Sequence, residues 1–376
     1  MRNFKCADAC EYENKLWTME SSGWCIYTIN TLNWTIELMS LINSQSPICY
    51  RKILIRENDL FFVRNTGIGI YKYDIKSKHE NVYDMNCLNE IIVMNAFFYE
   101  DDIIIVPLYI SGCLYSFNVK TYKFQEIYCP LNIGNRIEDK FIPSAHLIKN
   151  KIWFITNNGS ELQSYDLKHK TIDTYSLPEG VNVGNFCEYN NNLLLVSKFG
   201  YQVYMWTREK GIINEFIFEG KFGTSDIYPQ IVTCGKQIYL LSVMSNGIYK
   251  IDERDSKVKQ IYIVNSDKNV KGKALFIEYV KIKNKIVILP WRSNGLIVIN
   301  SETDEVKEYE VSIDEFALKF GLSQKKNHVI YESNKTDKKS LMKEICKEID
   351  LDKKMLGSEA GEEIFCLVKS ICDREI

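Results

Sequence analysis

The sequence predicts an all-β fold: a seven-bladed β-propeller of four-stranded blades over residues 1–313, followed by a short, charged α-helical tail over residues 314–376. Three observations predict it. One short phrase recurs seven times, its copies lie ~45 residues apart, and each copy has room for four short strands. Four-stranded repeats of this length are typical of propeller blades.

The recurring phrase consists of a polar pair, an apolar run, a glycine, and an aromatic-rich segment that ends in Asp or Asn. In the fourth copy it runs from the pair Asn150-Lys151 through Gly159 to Asp166. The polar pair suits a tight hairpin, and the glycine suits a turn that would strain a side chain. The closing Asp or Asn caps its own turn, and Thr207 takes this place in the fifth copy. The seven glycines are Gly23, Gly67, Gly112, Gly159, Gly200, Gly247 and Gly295.

Strand positions follow from the same pattern. In the fourth copy we predict strands at residues 142–148, 151–156, 162–167 and 171–177. A single blade cannot bury both of its faces, whereas a closed ring packs each blade between two neighbours. A β-solenoid is the competing architecture, but its repeats are too short for four strands. The first copy places its innermost strand at residues 4–11 and the last ends at 306–311, so we expect ring closure by side-chain packing without strand exchange.

Over residues 4–312 the repeat resembles that of the kelch and galactose-oxidase-central-domain group of propellers. The shared features are four strands per copy, a turn glycine after the second strand, and aromatic residues on the third strand. Each copy here carries a single glycine where kelch repeats carry a pair. The resemblance implies a propeller fold, and propellers of this kind host unrelated functions.

After residue 313 the repeat ends and the chain becomes rich in lysine and glutamate. Residues 341–349 and 362–371 have helical periodicity with one apolar side. Two interpretations stay open for this tail: it packs against the propeller, or it forms a helical pair that binds a partner or a second copy.

Composition and charge exclude several classes of protein. The chain has 376 residues, 45% of them hydrophobic, and a formal net charge of −2, which argues against a strongly basic nucleic-acid binder. No apolar stretch approaches the roughly 18 residues that a membrane span needs. The first residues lack the apolar segment of a secretory signal, so we expect a bacterial-type cytoplasmic protein whose 12 cysteines are free thiols.

A ring of polar residues is predicted where the innermost strands line the central channel. Its members lie eight residues before the first apolar residue of each second strand. Either these side chains only solvate the channel, or they bind a polar ligand, with Lys52 between the charges of Asp8 and Glu278. The seven are Asp8, Lys52, Asn95, Ser144, Asn185, Gln230 and Glu278.

Further candidate ligand-binding residues lie in the loops on the same face. Trp291 and Arg292 suit stacking on a sugar and binding of a carboxylate, although packing between blades explains them equally well; Arg64 lies in another of these loops. His146, two residues after Ser144, is the one acid–base candidate on an innermost strand, and a structural role is its alternative. The histidines lack metal-ligand spacing, and no nucleophile, phosphate-loop or dinucleotide motif is present, so no metal or cofactor is expected.

Two functions fit these observations. The leading hypothesis is a non-catalytic binding or scaffolding propeller that holds a polar ligand or a protein partner on its loop face. The alternative is a carbohydrate-active enzyme of the epimerase, lactonase or lyase type, in which Asp8, Glu278 or His146 acts as general acid or base.

Overall fold

Four consecutive antiparallel strands form each blade, and seven such blades follow one another along the chain. The computed structural model describes residues 5–20, 23–42, 48–85, 91–109, 112–129, 141–156, 159–198, 202–218, 230–241, 247–263, 278–290 and 295–311. The predicted seven-bladed propeller is confirmed, and the described part contains no helix. The predicted tail lies outside the described residues.

The first four blades comprise sixteen strands: β1 (Ala9–Tyr12), β2 (Lys15–Met19), β3 (Cys25–Asn30), β4 (Ile36–Leu41); β5 (Tyr50–Arg56), β6 (Asp59–Arg64), β7 (Gly69–Asp74), β8 (Glu80–Asp84); β9 (Val93–Tyr99), β10 (Asp102–Pro107), β11 (Cys113–Asn118), β12 (Lys123–Tyr128); and β13 (Ser144–Ile148), β14 (Lys151–Ile155), β15 (Glu161–Asp166), β16 (Thr171–Ser176).

The last three blades comprise twelve strands: β17 (Val183–Tyr189), β18 (Asn192–Ser197), β19 (Gln202–Thr207), β20 (Gly211–Phe218); β21 (Gln230–Cys234), β22 (Gln237–Leu241), β23 (Gly247–Asp252), β24 (Lys257–Ile263); and β25 (Tyr279–Ile282), β26 (Lys285–Ile288), β27 (Gly295–Asn300), β28 (Val306–Glu310). Blades 5 and 6 are also joined by a short parallel pairing of β20 with β24. Strand β1 begins at Ala9, later than the predicted residue 4.

Positive φ angles and side-chain capping shape the turns at one end of the strands. In blade 5 the φ angles are positive at Asn190 and Asn191 (50° and 62°), as a type I′ hairpin turn requires, so the turn lies one residue before the predicted pair Asn191-Asn192. The closing aspartate of blade 4, Asp166, accepts backbone hydrogen bonds from Lys168 and His169 at 2.9 Å each. These two turns hold the ends of the strands opposite to the repeated glycine.

The repeated glycine lies at a junction between blades. Gly159 has a φ of +69°, and its carbonyl oxygen accepts a hydrogen bond of 2.9 Å from the backbone N–H of Val183, at the start of blade 5. A Cβ at this position would lie 2.5 Å from the Val183 oxygen. Gly23 approaches Ile48 in the same way. Only glycine allows both this backbone conformation and the close approach.

Apolar side chains of neighbouring blades interdigitate to form the core. Between blades 3 and 4, for example, Val106 packs with Phe154 and Tyr165, all of them buried. Equivalent clusters lie at the five other junctions from blades 1 and 2 to blades 6 and 7. Blades 2 to 6 therefore bury both faces against their two neighbours, which places their innermost strands at the channel.

A backbone hydrogen bond and an aromatic pair join blades 7 and 1, which closes the ring. The backbone N–H of Cys6 donates to the oxygen of Pro290 in blade 7 at 3.0 Å. The Trp34 ring packs on Tyr309 with centroids 5.4 Å apart. Among the described strands, every blade consists of four consecutive ones, and none is exchanged between the first and last blades. Equivalent backbone bonds join Val93 to Asn65, Ile142 to Leu108 and Val183 to Gly159, at 2.8 to 2.9 Å.

Candidate functional site

Three charged side chains of the predicted polar ring meet where blades 7, 1 and 2 adjoin the channel. Lys52 Nζ lies 3.3 Å from Asp8 Oδ1 and 3.5 Å from Glu278 Oε2. Asp8 Oδ2 also accepts a hydrogen bond of 2.7 Å from the backbone N–H of Ile53. The Asp8 side chain is only 2% exposed, whereas Glu278 and Lys52 are 16% and 20% exposed. The cluster is therefore reachable from one side, through Lys52 and Glu278.

Mutual attraction keeps two of these groups charged. Burial alone lowers the pKa of Lys52, but the charges of Asp8 and Glu278 outweigh it and hold this pKa above its usual value. Burial likewise raises the pKa of Glu278, and the cations Lys52 and Arg51 reverse that effect and lower it. A lysine held between two carboxylates is the arrangement that offsets the cost of burying each charge.

Asp8 behaves differently because it lies deepest. Burial, reinforced by the nearby charge of Glu278, raises the pKa of Asp8 to about 6 despite the attraction of Lys52. Its carboxyl group therefore takes up a proton only a little below neutral pH, well above the usual range of an aspartate. In the folded protein Asp8 is the carboxyl of this cluster that changes charge most readily near physiological pH.

Two further cations, which the sequence pattern did not single out, act on the same place. Arg51 is the chain neighbour of Lys52, and its Nε donates to the Met94 oxygen at 3.0 Å. Its charge lowers the pKa of Glu278, and that of Lys281 contributes to lowering the pKa of His146. The sequence offered one sign of the role of Arg51, which is that it directly precedes the ring residue Lys52. We call Asp8, Arg51, Lys52, Glu278 and Lys281 the channel cluster; it carries one excess positive charge.

The uncharged ring residues bond across the next two junctions. Asn95 Nδ2 donates to the Ala145 oxygen at 3.1 Å, which links blades 3 and 4. Ser144 Oγ donates to Asn185 Oδ1 at 2.9 Å, which links blades 4 and 5. Gln230, the sixth ring residue in chain order, begins β21. The ring therefore has a structural use in holding blades together, beside any use in binding.

His146 lies on β13 with its ring edge-on to Phe186, at 4.7 Å between centroids. Burial lowers the pKa of His146 to about 4, and the opposing effects of Glu278 and a hydrogen bond with Asn185 do not restore it. The imidazole is therefore neutral at pH 7 and packs as part of the junction between blades 4 and 5.

The loop residues are not all brought to the channel cluster. Arg64 ends β6 and pairs with Asp84 on the outermost strand β8, Nη1 to Oδ1 at 2.8 Å. This pair needs the bare backbone of Gly69, where a Cβ would meet both side chains. Trp291 and Arg292 lie outside the described residues.

Within the described ranges, no group of three His, Cys, Asp or Glu residues is placed to hold a metal ion, and no helix is long and apolar enough to cross a membrane. The eight cysteines in these ranges form no disulfide. Beside Asp8, burial raises the pKa of Cys6 to about 12, so this thiol stays protonated.

Fold and channel together define a seven-bladed β-propeller with a charged central cluster. Virginiamycin B lyase from Staphylococcus aureus is similar in structure, with a TM-score of 0.59 and 14% sequence identity over 78% of this chain and 95% of that one. Hsv2 from Kluyveromyces lactis has a TM-score of 0.51 and 11% identity over 82% of this chain and 98% of that one.

A third similar structure is PorZ, a bacterial surface component of the type-IX secretion system of Porphyromonas gingivalis. Its TM-score is 0.54 and its identity 12%, over 84% of this chain and 39% of that one. At such identities these likenesses show the fold alone. No protein-family model and no curated protein matches the chain.

Proposed function

We propose that this chain is a non-catalytic binding propeller that holds a polar ligand, or a protein partner, on the face formed by its blade-linking loops and the loops between second and third strands. The observation that carries the proposal is the channel cluster itself. Lys52 of blade 2 and Glu278 of blade 7 are charged and partly accessible, and Asp8 of blade 1 holds Lys52 in place. A rigid, pre-organised group of charges favours binding because little freedom is lost when a ligand arrives.

The charge of the channel cluster favours a ligand with an anionic group. The channel cluster contains three cationic side chains and two carboxylates, and Lys52 already neutralises part of both carboxylates. The remaining positive charge lies with Arg51, next to Lys52 in the chain, and with Lys281 on β25. A carboxylate or phosphate group near Lys52 would complete the balance, so sugar acids, nucleotides and acidic side chains of a protein are the ligands to test first.

Non-catalytic use is supported by how the candidate acid–base groups are engaged. His146 is neutral and packed against Phe186, and Asp8 is almost fully buried, with both oxygens occupied by Ile53 and Lys52. A general base must reach the proton that it abstracts. The kelch-like grouping and a bacterial cytoplasmic location belong to the same proposal.

One observation favours the carbohydrate-active alternative. The raised pKa of Asp8, about 6, is what a general acid or base near neutral pH needs. In that case Asp8 or Glu278 would exchange a proton with a sugar derivative bound at Lys52. The decisive difference from the leading proposal is turnover of the ligand.

The first experiment is a thermal-shift screen of the full chain against sugars, sugar acids, nucleotides and inorganic phosphate. A ligand at 100 times its dissociation constant adds about 2.7 kcal/mol of stability, which is ample to detect. An anionic ligand is expected to raise the melting temperature of the wild type and of the control Lys15→Met, but not of Lys52→Met. Lys15 is a matched control because it pairs with Glu37 on the outer part of blade 1.

Incubation of any ligand found with the protein, followed by NMR, separates the two functions. Unchanged ligand supports a binding protein, whereas conversion that Asp8→Asn abolishes supports the enzyme. The protein-partner form is tested with a photo-crosslinking residue at position 64, on the proposed face, and at position 168, at the other ends of the strands. Crosslinks from position 168 alone, together with a blank screen, contradict the proposal.

A further inference from the structure

Blade 5 departs from the other blades at the end of its third strand. In five blades the backbone N–H of the residue after the third strand's closing position donates to an oxygen of the first hairpin, as Leu167 does to Asn150 at 3.0 Å. The other four bonds join Thr31 to Asn14, Ile75 to Asn58, Val119 to Asp101 and Ser301 to Asn284, at 2.8 to 2.9 Å.

In blade 5 the corresponding residues are Arg208 and Asn191, and among the described residues no such bond joins them. The same strand end carries Thr207 in place of Asp or Asn, and the register with β20 shifts between Met205 and Trp206. In blade 6 the hydroxyl of Tyr189 takes over the bond, donating to the Lys236 oxygen at 3.2 Å. Within the described structure, blade 5 is therefore the one blade in which neither a backbone N–H nor a tyrosine hydroxyl bonds to the first hairpin at the end of the third strand.

A cavity of about 180 Å³ lies at this departure, between blades 4 and 5. We call it the blade 5 groove. Because the first hairpin and the third-to-fourth turn form it, the groove lies at the opposite ends of the strands from the proposed loop face. Its lining includes Lys151, Trp153, Asn191, Asn192, Trp206 and Arg208.

Aromatic side chains form one side of the groove. Trp153 stacks on Tyr175 with centroids 5.6 Å apart and planes 18° apart, and Trp206 meets Trp153 edge-on at 6.0 Å. Trp206 is nearly buried, at 4% exposed, whereas Trp153 is half-buried and lines the cavity. Ser164, the small residue paired with Trp153 across the sheet, leaves space for this stack. The aromatic wall is thus rigid and presents an indole to the cavity.

The charges around the groove neutralise one another. Lys151 Nζ lies 2.8 Å from Asp173 Oδ2 and 3.9 Å from Asp166 Oδ2. Arg208 Nη2 lies 3.5 Å from the same Asp173 oxygen. Exposed Lys149 and Glu188 add one charge of each sign to the lining. No net charge is therefore available to attract an ion, in contrast to the channel cluster.

Hydrogen-bonding groups nevertheless remain available at the mouth of the groove. The Arg208 side chain is 57% exposed, and its guanidinium lies over the Tyr175 ring at 5.7 Å, which keeps it close to the aromatic wall. Asn191 and Asn192 line the same cavity, and Asn192 Nδ2 donates to Met205 Sδ at 3.9 Å, which leaves the oxygen of its amide to accept from a ligand. Guanidinium and amide groups beside an indole bind hydroxyl groups and pack against the apolar face of a sugar ring.

We propose that the blade 5 groove binds an uncharged saccharide, with one sugar ring packed against Trp153 and its hydroxyl groups bonded to Arg208 and the Asn191–Asn192 amides. The volume is below the roughly 300–1,000 Å³ of sites for drug-sized ligands, so it suits one ring of a longer chain or a single sugar. This proposal does not depend on the proposed function, because the two sites lie at opposite ends of the strands.

Saturation-transfer NMR with the full chain tests the proposal. The probes are the methyl glycosides of glucose, galactose, mannose and N-acetylglucosamine, with glucuronate and inorganic phosphate as anionic probes. At least one uncharged glycoside is expected to bind the wild type, and Arg208→Ala is expected to weaken it tenfold or more. Trp153→Leu should abolish binding; Arg208→Ala, at an exposed site, keeps the test valid if the Trp153 variant does not fold.

Two controls separate this site from the other. Arg254→Ala removes an exposed arginine from the equivalent turn of blade 6, and Lys52→Met alters the channel cluster; both should bind the glycoside as the wild type does. The proposal is overturned if no uncharged glycoside binds, if binding survives Arg208→Ala, if Lys52→Met abolishes it, or if only the anionic probes bind.

Discussion

Replacing His146 with glutamine is expected to flatten the dependence of the free energy of unfolding on pH. The pKa of His146 falls from about 6.5 when unfolded to about 4 when folded. The unfolded chain therefore binds a proton more readily between these values, and stability present above pH 6.5 is lost as the pH falls towards 4. The variant has no such group to protonate at this position.

The magnitude follows from the shift. One pKa unit corresponds to 1.36 kcal/mol, so a shift of this size is worth at most ~3 kcal/mol. Because His146 is in partial contact with solvent, we expect screening to reduce the loss to about 2 kcal/mol between pH 7 and pH 4. This is a large part of the 5 to 15 kcal/mol that typically stabilises a folded protein.

Urea denaturation followed by tryptophan fluorescence at pH 7, 6, 5 and 4 measures this loss. The wild type is compared with His146→Gln and with His79→Gln, which removes an exposed histidine from a turn of blade 2. The difference between the wild type and His146→Gln should change by about 2 kcal/mol across the range. A constant difference, or an equal change in His79→Gln, would refute the reasoning about burial of His146.

Three further predictions concern other parts of the ring. Asp8→Asn should become more stable relative to the wild type as the pH rises from 4 to 7, by about 1 to 3 kcal/mol in urea titrations. The reason is that the pKa of Asp8 is about 6 in the folded protein and lower in the unfolded chain, so the wild type loses stability as this carboxyl group ionises. A stability difference that does not vary with pH contradicts this. Gly159→Ala should lose more stability than Gly180→Ala. Both glycines have positive φ, where a side chain costs about 1 to 2 kcal/mol, but only Gly159 also abuts the next blade. Equal losses in thermal melts would count against that contact. Iodoacetamide at neutral pH should label exposed Cys49 well before Cys6, as mass spectrometry of time points would show, and early labelling of Cys6 would mean that the first blade opens.

Blade architecture could be predicted because its causes are local. The glycine, the hairpin pair and the closing Asp or Asn each act within a few residues of the strands that they end. The strands predicted for the fourth copy at 142–148 and 171–177 are Ser144–Ile148 and Thr171–Ser176 in the structure. Seven repetitions of one local pattern then require a ring, since each blade must cover two apolar faces.

The geometry of the site could be predicted only in part. The polar character of the ring positions followed from their register, but the depth of each side chain did not. Asp8 is nearly buried and Glu278 is not, although both precede the innermost strand of their blades. This difference depends on how blades 1, 2 and 7 approach one another, which involves residues far apart in sequence. The blade 5 groove also depends on how two blades approach one another. Thr207, in place of the usual Asp or Asn, was the one sequence feature that marked its position.

The closing junction has a consequence for how the chain can be cut and rejoined. Cys6 bonds to Pro290 as Val93 does to Asn65, so the junction between the first and last blades is held by the same kind of backbone bond as the junction between blades 2 and 3. A circular permutant that begins with blade 2 and ends with blade 1, with blades 7 and 1 joined by a linker, should fold to the same ring and keep the Lys52–Glu278 pair. The ring is then held together by contacts between neighbouring blades, whichever of blades 1 and 2 comes first in the chain.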